Sequence, residues 1–224
     1  MPLERVLEPE VMDTAEEAID YNAMDHSAVN QKFVAELLAF AGEKEKEVSQ
    51  VLDLGTGTAL IPIEMCRAHA SCHVLAIDLA EHMLAVAKQN VEAAEMSQRI
   101  ELQKVDAKKL PYDDGQFPVV LSNSIIHHIP EPQFSVNEMV RVAAPGAVIF
   151  VRDLMRPDSG KAVSQIVEAY AGEENEHSRQ MFDDSLRAAL SLQEIRDCVV
   201  ACGFDAQTVE ATSDRHWTWS AIKS

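Results

Sequence analysis

Three aspartates and one glycine turn carry the first chemical signal in this sequence. The run Val51-Leu52-Asp53-Leu54-Gly55-Thr56-Gly57-Thr58-Ala59 is a short apolar stretch that ends in a carboxylate and a Gly-x-Gly turn. Gly55 can take backbone angles that a side chain forbids, and Gly57 lets the chain pass close to a ligand. The same turn could also serve tight strand-to-helix packing with no ligand at all. Asp78 follows the turn by about 20 residues and ends the next apolar run. A carboxylate there can accept both hydroxyls of a ribose, or it can cap the helix that starts near Ala80. Asp106 ends a third run. It can accept a hydrogen bond from an adenine amino group, or cap its own loop.

Those carboxylates need elements to hold them. Residues 1–45 read as a helical N-terminal segment, because Ala28, Phe33, Val34, Leu37, Leu38 and Ala41 recur at helical spacing. The charged GEKEKE stretch at 42–47 reads as a solvated loop. Strands are expected at 48–54, 73–77, 100–105, 117–121 and 147–151, with helices at 59–68, 80–94 and 133–143 between them. Strands alternating with helices build a parallel sheet with a helix layer on each face. Its strand C-termini line one edge, and that edge gathers Asp78, Asp106 and the Gly55 turn. The tail differs. A helix at 192–201 leads to a strand from Gly203–Phe204 to about Ala211, a polar turn at 212–214, and a strand over 216–222. Two strands joined by so short a turn make an antiparallel hairpin. The expected fold is therefore α/β: a Rossmann-like three-layer sandwich whose mostly parallel seven-stranded sheet ends in an antiparallel hairpin.

The composition fits one globular domain over 1–224. Apolar residues make up 47% and charged residues 25% of the 224. Acids outnumber bases 37 to 19, for a formal charge of −18, which argues against nucleic acid or an anionic membrane as partner. Apolar stretches stay far below the roughly 20 residues of a spanning helix. With no hydrophobic export segment in the N-terminal run, a cytoplasmic location is expected. The cysteines Cys66, Cys72, Cys198 and Cys202 form no CxxC pair and suit a reducing compartment. No metal site is expected. Cys198 and Cys202 share a helix face, where a soft-metal site is conceivable and small buried side chains are the plainer reading.

At these residues the chain resembles the class I S-adenosylmethionine-dependent methyltransferases. VLDLGTGTA is similar to their first motif and LAIDLAEHML to the second. KVDAKKLPYDDGQFPVVLSNSIIHHIPEP resembles the third and fourth run together, and RVAAPGAVIFVRD the fifth strand with its lead-in. The likeness is strong over residues 48–155 and topological over 192–222, and it leans toward the ubiquinone and menaquinone methylases. The third small position of the turn is Ala59, where many relatives have glycine. The resemblance implies S-adenosylmethionine as cofactor and S-adenosylhomocysteine as product. It implies that Asp53 faces the ligand's amino group, that Gly55, Thr56 and Gly57 form the floor, and that Asp78 holds the ribose. Leu79 and Met83 would pack on adenine, Met83 serving equally well as core. Asp106 and the Ala107 N–H would read adenine, and Asn123 and Ser124 would touch the methionine end. The segment 1–45 would be a lid, with Tyr21 and Asn30 closing over the methionine moiety.

Methyl transfer from a sulfonium is an in-line displacement with a neutral thioether leaving group. Alignment and a dry pocket therefore suffice unless the acceptor must lose a proton. The available bases are His127, His128 and Asp153. The histidines are often structural in the resembled family, and Asp153 could equally be a loop anchor or an ion-pair partner of Arg152. Arg156 could bind an acidic acceptor. Residues 157–190 exceed a plain crossover and could cap the substrate pocket or form a contact between two copies. Trp217 and Trp219 share one strand face, as core or as a wall for a planar acceptor. The expected acceptor is a small molecule. Other readings are a protein or nucleic-acid methylase, a non-catalytic cofactor binder and an NAD-dependent oxidoreductase, though the oxidoreductase would want a GxGxxG turn nearer the N-terminus and no terminal hairpin.

Overall fold

The computed structural model describes residues 3–9, 11 and 13–224. In chain order the elements are α1 (Ala15–Ala23), α2 (Ser27–Glu43), β1 (Gln50–Leu54), α3 (Leu60–Ala68), β2 (His73–Asp78), α4 (Glu81–Ala93), β3 (Ile100–Lys104), β4 (Phe117–Asn123), α5 (Pro132–Val142), β5 (Ala143–Leu154), α6 (Gly160–Ala171), α7 (Glu176–Ala188), α8 (Leu192–Ala201), β6 (Val209–Ala211) and β7 (His216–Ile222). One seven-stranded sheet runs in the order β3-β2-β1-β4-β5-β7-β6. The first five strands are mutually parallel, and β7 inserts antiparallel between β5 and β6. Successive strands are laid outward from β1 to one side and from β4 to the other, so the ligand-binding crevice of this architecture falls beyond the ends of those two parallel strands.

Alternation along each strand divides the core in two. Val51, Val74, Val119, Leu121 and Phe150 meet Phe33 and Leu37 of α2, Ile63 of α3 and Val91 of α4 on one face. Leu52, Val120, Ile149 and Val151 meet Val136 and Met139 of α5 and Ile195 and Val199 of α8 on the other. Both tryptophans belong to this second face and are fully buried, so they are core rather than a pocket wall. Phe204 stands edge-on to Trp219 at 5.2 Å.

Several helix starts follow from their caps. Thr14 and Glu17 form a capping box on α1, and Ser191 and Glu194 form another on α8. Ser159 and Asn175 cap α6 and α7. These two helices answer the expectation of an insertion after the fifth strand. They pack on each other through Val163, Val167 and Leu186, and on Leu154 at the end of β5.

Three expectations are corrected. The N-terminal segment is not helical throughout: the described residues before Ala15 are irregular and form a strap across the sheet edge, where Val6 N–H donates to Arg187 O at 3.1 Å. The fifth strand begins at Ala143 rather than 147, because Phe117 and Ala143 pair before a bulge. The sixth begins at Val209 rather than 203–204, because Asp205 caps a 3₁₀ turn at Ala206–Thr208.

Candidate active site at the sheet edge

The glycine turn is pinned by its neighbours. The N–H groups of Gly55 and Thr56 both donate to Ile77 O, at 2.8 and 2.9 Å, which ties the turn to the end of β2. Gly55 has φ +72° and Gly57 φ +54°. A side chain on Gly55 would collide with Ile125, which packs directly over it. Ala59 also sits in the left-handed region, at φ +62°, and is completely buried.

Asp53 and Asp78 flank this turn. Asp78 closes it through its carboxylate: Oδ2 accepts from Gly57 N–H at 2.7 Å and Oδ1 from Ala80 N–H at 2.8 Å. Asp78 therefore does not cap α4, whose N-cap is Ala80 with no side-chain bond; it closes the turn instead, and each of its carboxylate oxygens keeps a second lone pair. Burial raises its pKa, with the backbone N–H groups opposing. Asp53 is 2% exposed, and burial pushes its pKa up to about 7, against a lowering by the nearby Thr56 hydroxyl. Among the described residues, its Oδ2 and the hydroxyls of Thr56 and Thr58 are buried without a hydrogen bond. Three buried polar atoms left unsatisfied within six residues of one turn are costly unless something polar completes them. A cationic amino group beside Asp53 would do so.

Tyr21 roofs the turn from the end of α1. Its ring stands 3.8 Å from where a Cβ on Gly57 would be. Burial, then Asp78 and Asp53, raises its pKa. The ring stacks on His26 at 4.5 Å, and Asn90 of α4 bridges Asn22 Oδ1 and Thr58 O, which fastens the helix end to the turn.

The remaining expected contacts are more dispersed. Val105 N–H bonds to Asp78 O and so sets Asp106 beside the Asp78 strand end, but the Asp106 carboxylate accepts from the N–H and ammonium of Lys108, each at 2.9 Å. Ala107 and Leu79 are half-buried. Met83 is buried against Ala18 and Tyr21, in the contact between α1 and α4. Asn123 ends β4, and Ser124 follows it at φ +60° with its N–H on Arg152 O. Asn30 is half-buried early in α2, and its side chain makes no hydrogen bond among the described residues.

The histidines occupy a 3₁₀ turn, Ile126–His128, just past β4. Asp153, which is completely buried, builds that turn. Its Oδ2 accepts from Ile126 N–H at 2.5 Å and His127 N–H at 3.3 Å. Its Oδ1 accepts from Leu154 N–H at 2.6 Å and from His127 Nδ1 at 2.5 Å. Four donors leave Asp153 no free direction toward an acceptor, so the expectation of Asp153 as a base itself is corrected to an anchor of the turn. Burial pulls the His127 pKa down, but the charge and hydrogen bond of Asp153 outweigh it and the net shift is upward. Arg152 points to the opposite sheet face, where it pairs with Glu36 and donates to Thr218, so it is no partner for Asp153.

Residues in the strap complete this corner, and sequence reasoning did not single them out. Arg5 donates to the carbonyls of Ala188 at 2.6 Å, Ile129 at 2.9 Å, His127 at 3.0 Å and Pro130 at 3.2 Å. Glu8 Oε1 lies 3.1 Å from His128 Nδ1 and 3.6 Å from His127 Nε2. Arg156 donates to Leu3 O and Ala189 O and pairs with Glu194, so it fastens the strap rather than facing an acceptor.

Comparison with known proteins agrees with this layout. A methyltransferase-domain family model matches residues 52–151. A demethylmenaquinone methyltransferase from Porphyromonas gingivalis is 27% identical over 69% of this chain and 67% of its own length. Its counterpart from Bacillus mycoides is 35% identical over 50% of this chain and 47% of its own length. The chain spans about half the length of the curated relatives it matches. A methyltransferase from Aquifex aeolicus has the same fold, with a TM-score of 0.69 at 18% identity over 94% of this chain and 99% of that one. The matched domain, the relatives and the shared fold together support a class I S-adenosylmethionine-dependent methyltransferase, similar to the quinone methylases.

Proposed function

We propose that the chain transfers a methyl group from S-adenosylmethionine to a small-molecule acceptor, and that the acceptor docks beside the histidine turn. The observation that carries the cofactor half is the trio of unsatisfied buried atoms on Asp53, Thr56 and Thr58 at the glycine turn, which Tyr21 approaches at Gly57. S-Adenosylmethionine supplies an electrophilic methyl on a sulfonium. Asp53 receives its ammonium group, and Asp78 accepts from its ribose while holding Gly57. Asp106 and Ala107 face adenine, with Leu79 and Met83 beside them. Asn123 and Ser124 border the methionine end. Tyr21 closes over that end and, with α1 and α2, forms the lid; Asn30 contributes once the lid settles on ligand. Since Tyr21 already covers the turn, α1 must swing away for the cofactor to enter.

The chain's remaining task is alignment and exclusion of water. His127, oriented by Asp153, and His128 border the acceptor side and take its proton where it carries a hydroxyl or amine. Asp153 acts as a positioning residue. The helices α6 and α7 cap the acceptor pocket. The demethylmenaquinone relatives make a quinol the first acceptor to assay.

A thermal-shift comparison tests the cofactor reading. S-Adenosylmethionine and S-adenosylhomocysteine are expected to raise the melting midpoint by mass action, and NAD is expected to leave it unchanged. A rise with NAD alone would overturn the proposal.

A further inference from the structure

Glu8, His127 and His128 face one another in a way that cofactor binding does not require. One ligand-type atom from each, Glu8 Oε1, His127 Nε2 or His128 Nδ1, lies within 4.8 Å of the other two. The separations from Glu8 Oε1 are 3.1 Å to His128 Nδ1 and 3.6 Å to His127 Nε2. Ligands held at about 2.0–2.1 Å in a tetrahedron around Zn²⁺ stand roughly 3.3 Å apart. The two edges from Glu8 thus suit a small coordination sphere, and the third, between the imidazoles, stays within 4.8 Å.

Two further features point the same way. Glu8 Oε1 and His128 Nδ1 are buried and face each other as an ion pair, yet among the described residues neither has an aligned hydrogen bond. Atoms so placed are satisfied by a cation between them. His127 donates Nδ1–H to Asp153, which leaves the Nε2 lone pair turned toward Glu8. A carboxylate behind one imidazole nitrogen, with the other nitrogen free, is the arrangement that orients metal-binding histidines. Glu8 is itself steadied, because its Oε2 accepts from the Ser185 hydroxyl at 3.3 Å.

We infer that Glu8, His127 and His128 form a binding site for a divalent first-row transition-metal ion, with Zn²⁺ the best match. Two imidazoles and one carboxylate suit zinc or its neighbours rather than Mg²⁺ or Ca²⁺, which want all-oxygen shells. Three protein ligands leave a fourth position for water or an anionic oxygen, and while the ion is bound neither imidazole serves as the acceptor's base. Because Glu8 belongs to the strap, a bound ion would clip the strap to the histidine turn.

The test is a calorimetric titration of Zn²⁺ into the chelator-stripped full chain, with Co²⁺ absorption as a second probe. The expected result is one ion per chain at micromolar affinity or tighter, with the visible bands of a four- or five-coordinate Co²⁺. Glu8→Gln and His128→Asn should each weaken binding at least tenfold, and Asp153→Asn, acting through His127, by about 10–100-fold. In the unaltered chain, Zn²⁺ should slow amide exchange across residues 3–8, a readout that stands even if a variant fails to fold. Three results would overturn the site: no saturable binding at millimolar metal, binding that folded Glu8→Gln and His128→Asn leave intact, or bound zinc with unchanged exchange in the strap. In those cases the cluster is an ion-pair latch only.

Discussion

At the scale of single residues, Asp53 makes the sharpest prediction. Burial holds its folded pKa at about 7, above the ordinary carboxylate value of 3.8. The folded chain therefore binds a proton more tightly than the unfolded chain. This contribution to stability is full below about pH 4 and is lost as pH rises through about 7. Replacing Asp53 with Asn should remove that loss. Above neutrality the ligand-free variant should be more stable by at least about 1 kcal/mol, or roughly 2–4 °C in melting midpoint. The same variant should bind S-adenosylhomocysteine more weakly. In the unaltered chain, affinity should climb as pH passes from 6 to 8 and Asp53 ionises. A variant neither stabilised nor weakened in binding would contradict the buried carboxylate's role. Most of this corner was legible in the sequence, because its signals are local. A carboxylate before a Gly-x-Gly turn and an acid about 20 residues on need only the strand–helix rhythm to be brought together. Arg5 and Glu8 were not legible. Arg5 meets a backbone carbonyl 183 residues away, and no spacing in the sequence announces such a contact.

At the scale of elements, two termini can be tested. Ala59 begins α3 in the left-handed region, where an alanine costs about 1–2 kcal/mol and a glycine pays only its own chain entropy. Ala59→Gly should thus raise stability by roughly 0.5 kcal/mol, measured by denaturant midpoint. A loss of stability would mean that the methyl group's packing outweighs the backbone strain. The sequence showed the alanine as a tolerated departure. Its strain became visible only in the backbone angle. The second terminus is the start of α1, whose capping box joins Thr14 and Glu17. Thr14→Ala should cost about 1 kcal/mol locally and speed amide exchange in residues 15–23. Because α1 carries Tyr21 over the turn, cofactor affinity should fall with it. The helical reading of residues 1–45 missed the strap for a physical reason. Its backbone bonds to Arg187 O of α7 and to the Arg156 side chain just past β5, and its Arg5 side chain to the histidine turn, with no helical periodicity of its own.

At the scale of the molecule, the sheet sets one crevice between β1 and β4, and the N-terminal residues close it at two places. α1 covers the glycine turn through Tyr21, and the strap covers the histidine turn through Arg5 and Glu8. No described helix is long and apolar enough to cross a membrane. The mostly parallel sheet with its terminal hairpin followed from the strand–helix rhythm of the sequence, whereas the order of its strands is a finding of the structure. The placement of α1 over the glycine turn was not legible in the sequence, since it depends on contacts such as Asn90 with Asn22 across separate elements. The account rests on the crevice being an adenosine site, and calorimetric titration of S-adenosylhomocysteine into the unaltered chain and into Asp78→Ala measures this directly. The unaltered chain should bind one molecule, and the folded variant should bind it at least tenfold more weakly, through loss of a charge-assisted bidentate contact. Equal affinity in both would contradict the placement of Asp78 and the cofactor site with it.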